Sequence, residues 1–188
     1  MRSDAVKNRE RLIEAAREVL GPGGPDASLE AVARRAGVGI GTLYRHFPER
    51  EALFRAVFSR DLEHLADRAE HLDAQGDPVE ALRDWLHASV AMVETKRGML
   101  GALSILPTEE LKQTCSGQQA RIDAALARLL SDGAEAGHVR ADVSAEDVIQ
   151  TMYALCYARA PGPNWRGDVL RTLDIFVDGL RRGRETAL

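Results

Sequence analysis

Cysteine is nearly absent from this chain: only Cys115 and Cys156 occur among its 188 residues. Two thiols so far apart spell neither a disulfide framework nor a zinc motif, and both fall on apolar helical stripes, where buried, inert thiols are expected rather than a redox switch. Aromatic residues are also few, at 5%. No apolar run approaches the roughly 18 residues a membrane span needs, and the opening MRSDAVKNRERL lacks the apolar core of a signal peptide. The expectation is a cytoplasmic protein with no membrane partner. There is no glycine-rich phosphate loop with its lysine and no nucleophile placed beside a base, which argues against an enzyme. His64 and His71 share a helical face, but no third ligand stands at metal-binding spacing, so neither a metal nor a cofactor is expected.

What is abundant is alanine, leucine, arginine and glutamate, a composition that favours helix and predicts an all-α fold. The net charge of −4 weighs against nucleic-acid binding, yet it is unevenly spread. Residues 1–55 hold ten Lys/Arg against eight Asp/Glu, a balance of +2, and the remainder carries −6. The N-terminal quarter is the basic part.

Apolar periodicity divides the chain into about nine helices. Leu12, Ile13, Ala16, Val19 and Leu20 stripe the first, with Arg9, Arg11, Glu14, Arg17 and Glu18 on the other face, and GPGGPD stops it. Ser28 fits the N-cap of a short second helix that ends at Gly37, and a third follows from Gly39 to Phe47, closed by Pro48. A long fourth helix runs from near Glu49 to about Leu72, and Pro78 opens a fifth. Beyond Gly98, GMLGALSILP reads as a short buried sixth helix, and Leu111, Cys115, Ile122, Leu126, Leu129 and Leu130 mark a seventh. Ser144 with Asp147 resembles a capping box opening the eighth, and Trp165 to Leu180 stripe the ninth. The charged tail RRGRETAL is expected to fray.

Helices two and three, joined across Gly37 and Val38 only, have the layout of a helix-turn-helix at 28–47, inside a DNA-binding domain over 1–55; a larger helical domain fills 56–188. In that motif the later helix enters the major groove, with small residues where backbone nears phosphate and inward anchors behind. Gly39 and Gly41 supply the first requirement, Leu43 and Phe47 the second. With those anchors inward, Thr42, Arg45 and His46 point outward with Tyr44 at the flank. An arginine fork suits guanine, while threonine, tyrosine and histidine suit phosphate or a thymine methyl. Arg45 is the candidate base reader; Ser28 and Arg50, at helix starts that favour anions, are candidate backbone contacts.

The run SLEAVARRAGVGIGTLYRHFPEREAL, Ser28 to Leu53, resembles the DNA-binding segment of TetR-type (tetracycline-repressor-like) transcriptional regulators. That resemblance implies that Gly41, Thr42, Tyr44, Arg45 and His46 lie at the DNA and that the basic residue opening helix four, here Arg50, grips a phosphate. Arg50 stands where lysine is usual, and Ile40 where a polar or basic residue is common. The resemblance further implies a ligand-responsive repressor on a palindromic operator in double-stranded DNA, an effector cavity among helices four to eight, and a homodimer built through helices eight and nine. Leu155, Val169, Leu173, Phe176 and Leu180 are the expected interface residues.

Bulky, adaptable apolar residues on buried faces mark a candidate effector pocket: Trp85, Met92, Met99, Leu103, Ile122, Met152 and Tyr153, which would suit a largely apolar small molecule. The same residues serve equally as plain core. Two competing functions stay open on the residues alone: a small helical enzyme acting on an apolar substrate in the C-terminal cavity, and a helical interaction module without DNA contact.

Overall fold

Helix boundaries are set by short capping signals, and the computed structural model, which describes residues 2–23, 26–72, 76–103 and 116–182, places most of them where the sequence does. Among the described residues run eight α-helices: α1 (Arg2–Leu20), α2 (Leu29–Ala36), α3 (Ile40–His46), α4 (Arg50–Glu70), α5 (Pro78–Leu103), α6 (Ser116–Glu135), α7 (Ala145–Ala158) and α8 (Trp165–Asp178). No strand is found among them; Val139 and Arg181 form an isolated antiparallel bridge. No helix of the described residues is long and apolar enough to cross a membrane.

Ser28 caps α2, its Oγ accepting the Ala31 N–H at 3.1 Å and so satisfying one of the donors every helix start leaves open. Gly37 ends α2 in the left-handed region, φ 67° and ψ 36°, a conformation that glycine adopts at no steric cost. Ser144 and Asp147 form the reciprocal capping box at the head of α7. The Ser144 hydroxyl and N–H hold the Asp147 carboxyl below its ordinary range.

One predicted break is not there. α5 runs without interruption through Gly98 and Gly101 to Leu103, so the start of the predicted sixth helix is the end of α5. The rest of that predicted helix lies outside the described residues, as do Leu111 and Cys115 of the predicted seventh and the tail beyond Arg182. α6, α7 and α8 correspond to the predicted seventh, eighth and ninth. The physical reason is packing: a β-carbon on Gly98 would overlap the carbonyl oxygen of Gly21 and stand 2.7 Å from its carbonyl carbon. The glycine lets α5 lay its backbone against the chain leaving α1.

The chain forms two compact units, Met1–Leu62 with Met92–Ser116 and Glu63–Ala91 with Gly117–Leu188, so α4 and α5 each belong partly to both. In the first unit, the head, the core is drawn from Leu12, Ala16 and Leu20 of α1, Val32 of α2, Leu43, Phe47, Leu53 and Phe54, closed by Met99 and Leu103 of α5. Burial of each large side chain is worth about 1.5–3 kcal/mol. Arg17 pairs at 3.0 Å with the buried Asp61, tying α1 to α4 and compensating a carboxylate that would be costly alone.

In the second unit, polar struts position the helices. Arg121 of α6 donates to Glu63, Asp67 and Glu70, which recur along one face of α4. Its hydrogen bond holds the Glu70 carboxyl below the ordinary range despite some desolvation. Arg83 of α5 bridges to Asp174 and Asp178 of α8, and His87 Nε2 lies 2.8 Å from Asp174 Oδ1. Burial works against the Asp174 carboxylate, but His87 and Arg83 outweigh it and lower its pKa. The Trp85 indole N–H donates to the Leu65 carbonyl at 2.9 Å, and that of Trp165 to the Cys156 carbonyl at 3.1 Å.

Gly98→Ala is expected to lower the unfolding free energy by about 1–3 kcal/mol, the usual range for overpacking. Gly101→Ala, where a β-carbon meets open space, is expected to raise it by up to about 1 kcal/mol. Urea unfolding of both variants measures the difference, and a Gly98→Ala protein as stable as wild type contradicts the close approach.

Candidate nucleic-acid interface

α3 is a seven-residue helix, too short to hold itself together in water. Its shape comes from Leu43 and Phe47, 1% and 3% exposed, both inside the head core. Those two inward positions fix the rotation of everything else on the helix. Gly41, Tyr44 and Arg45 stand exposed, Tyr44 by 46%, while Thr42 and His46 are half-buried. Arg45 engages no carboxylate among the described residues. Ile40, in the first turn, is exposed and offers the surface a side chain without hydrogen-bonding groups.

The fold leaves room for a side chain at both glycines at the head of α3. Gly39 is its N-cap in extended conformation, with no side-chain hydrogen bond, and a β-carbon on Gly39 or Gly41 would meet nothing within 4 Å. The bare backbone faces outward. Ser28 spends its oxygen lone pair on the α2 cap, which leaves its O–H to donate elsewhere. Arg50, the first residue of α4, is exposed and donates Nη1–H to the Leu103 carbonyl at 3.3 Å. One of its five donors is thereby used, and α4's start is held to the end of α5. All eight predicted DNA contacts thus belong to the head, at the start of α2, along α3 and at the start of α4.

Charge in the head is sorted by pairing. Arg17, Arg35 and Arg60 face Asp61, Glu18 and Glu14. Arg9, Arg11 and Arg45 face no carboxylate among the described residues. Arg9 is exposed, as the sequence reading has it, but it also approaches the edge of the head core. Its Cζ lies 5.4 Å from the centroid of the Phe47 ring. The signal was present in the spacing, since Arg9 stands three, four and seven residues before Leu12, Ile13 and Ala16, all on the buried stripe. Arg11 reaches over the turn, its guanidinium 2.6 Å from where a Gly37 β-carbon would be.

The predicted pocket residues do not share one unit. Met92, Met99 and Leu103 belong to the head, with Met99 and Leu103 committed to its core. Trp85, Ile122 and Met152 are buried in the second unit and Tyr153 is half-buried there. A depression of about 450 Å³ on the head is lined by other residues, including Val19, Ala31 and Arg34. Of the predicted interface residues, Val169, Leu173 and Leu180 are buried within the chain's own fold, because the stripe they share faces inward. Leu155 and Phe176 keep partial exposure, and the apolar residues that α7 and α8 expose most are Tyr157 and Ile175. Cys156 is buried, its thiol 3.8 Å from the Met152 sulfur.

Comparison with known proteins agrees with this geometry. A family model described as bacterial regulatory proteins, tetR family, matches residues 12–57, and one described as transcriptional regulator SbtR-like, C-terminal domain, matches residues 77–182. The crystal structure of the TetR transcriptional regulator SCO0520 from Streptomyces coelicolor is 34% identical, covers 93% of this chain and 99% of that one, and superposes with a TM-score of 0.72. The TetR transcription regulatory protein from Mycobacterium vanbaalenii is 32% identical over 96% of this chain and 98% of that one, with a TM-score of 0.68. Among curated relatives, the HTH-type transcriptional regulator SAB2452 of Staphylococcus aureus is 41% identical over 63 residues, 33% of this chain and 34% of that protein. The chain therefore spans about a third of the length of the curated relatives it matches, at 34–35%.

Anchors and exposed residues should separate in stability. Tyr44→Ala and Arg45→Ala are expected to change the unfolding free energy by no more than about 0.5 kcal/mol. Leu43→Ala is expected to lose about 2–5 kcal/mol. Denaturant titration reads both, and a loss on Arg45→Ala as large as that on Leu43→Ala would place Arg45 in the scaffold.

Proposed function

This chain belongs to the TetR family of bacterial regulatory proteins, and from that premise we propose that it is a ligand-responsive transcriptional regulator, a repressor that a small molecule releases from a palindromic operator. The observation that carries the reading is α3 itself: a helix held from behind by Leu43 and Phe47, with glycine backbone at its start and Tyr44 and Arg45 presented outward. Arg45, which no carboxylate among the described residues engages, is the base reader, its fork suited to guanine O6 and N7. Thr42, Tyr44 and His46 position the helix on phosphate and sugar. Ser28 and Arg50 clamp the flanking backbone, Ser28 through its free O–H and Arg50 through the donors it does not give to Leu103.

Palindromic recognition needs two heads, so the protein acts as a homodimer. α7 and α8 pack on each other, and Leu155, Tyr157, Ile175 and Phe176 are apolar residues they leave partly or wholly exposed and can offer to a second copy. The effector is a largely apolar small molecule bound in the second unit near Trp85, Ile122, Met152 and Tyr153. Because α4 is one continuous helix shared by both units, a ligand that displaces its C-terminal half carries the displacement to Arg50. Coupling of about 1–3 kcal/mol suffices for useful induction. Membership of a family of regulators argues against an enzymatic role, and turnover of a ligand that co-purifies with the protein would revive it.

Footprinting on genomic fragments should find a symmetric protected site whose half-site centres lie about 34–36 Å apart or a multiple of that. Tyr44→Ala and Arg45→Ala, each folded, should weaken its binding, Arg45→Ala by about 5- to 150-fold, as loss of a good base contact does. Wild-type affinity in both variants would remove α3 from the reading role.

A further inference from the structure

Arg9 carries a positive charge that no carboxylate among the described residues offsets. It lies on the inward stripe of α1, one turn before the core begins, and its side chain is exposed where it passes over Phe47. Phe47 is the residue that ends α3, and its ring centroid is 6.5 Å from that of His46. A cation–π contact uses none of the five guanidinium N–H donors as a hydrogen bond to an acceptor, so they stay available. The result is a guanidinium that no carboxylate among the described residues engages, placed beside the C-cap residue of α3.

We infer that Arg9 binds a backbone phosphate of the operator, so that α1 contributes a DNA contact alongside α3 and the starts of α2 and α4. The assignment rests on the operator-binding reading above. A phosphate contact fixes register and adds affinity without reading sequence. The phosphate is that of DNA rather than a free anion, since the fork stands on the residue that closes α3.

The test is the salt dependence of binding to a duplex carrying the inverted repeat that the wild-type protein protects. Each phosphate contact adds about 0.9 to the slope of log affinity against log salt, so Arg9→Gln, which removes one contact from each subunit of a dimer, is expected to reduce the slope by about 1.8. Base preferences should stay unchanged. Arg9→Lys keeps the charge and should keep most of the slope, which also covers the case in which Arg9→Gln loses its fold. Weaker binding by Arg9→Gln with the wild-type slope assigns Arg9 to packing on Phe47 alone and overturns the inference, as does unchanged affinity. If instead the wild-type protein shows no sequence preference at any salt, the operator reading itself has failed, and this inference with it.

Discussion

α3, the helix proposed to read DNA, exists because Leu43 within it and Phe47 at its C-cap are buried. Seven residues cannot pay the entropy of helix formation from their own hydrogen bonds, so α3 keeps its shape only while Leu43 and Phe47 occupy the head core. Those anchors do more than stabilise. By fixing which side of the helix is inside, they decide that Tyr44 and Arg45 are outside. The core that receives them is assembled from distant parts of the chain: α1 and α2, the start of α4, and the last turns of α5. The close approach of Gly98 to Gly21 lets α5 reach that core, and the Arg50 contact with Leu103 fixes the start of α4 to the end of the same helix.

Electrostatics follows from the same arrangement. An acidic chain binds DNA only if its cations are distributed unequally. In the head, Arg17, Arg35 and Arg60 are spent on internal carboxylates, while Arg9 and Arg45 are not, and these two flank Phe47 in space and in sequence respectively. The second unit spends its charges differently. Arg121, Arg83 and Arg181 each gather two or three carboxylates, and these ion pairs brace the unit's own elements.

What could be read from the sequence was local chemistry. The Ser28 cap, the left-handed Gly37 and the Ser144–Asp147 box each depend on residues within a few positions of one another. The anchors of α3 were legible too, because two apolar residues one turn apart leave little choice of inward face. What escaped needed a partner far along the chain. Gly98 reads as a breaker until Gly21 is seen against it, and Arg9 is exposed as it reads, but its contact with the Phe47 ring shows only in the fold. Val169, Leu173 and Leu180 show the limit of periodicity most plainly: a stripe identifies a face that will be buried, but not whether the chain itself or a second copy covers it.

The central claim is that the anchored helix reads sequence through Arg45. It is tested most directly by selecting bound duplexes from random DNA with the wild-type protein and with Arg45→Ala, and comparing base preference position by position. The account predicts an inverted repeat for the wild type, and for the variant the loss of preference at one symmetric pair of positions with the others retained. An identical preference profile in both proteins, whatever the change in overall affinity, would contradict it.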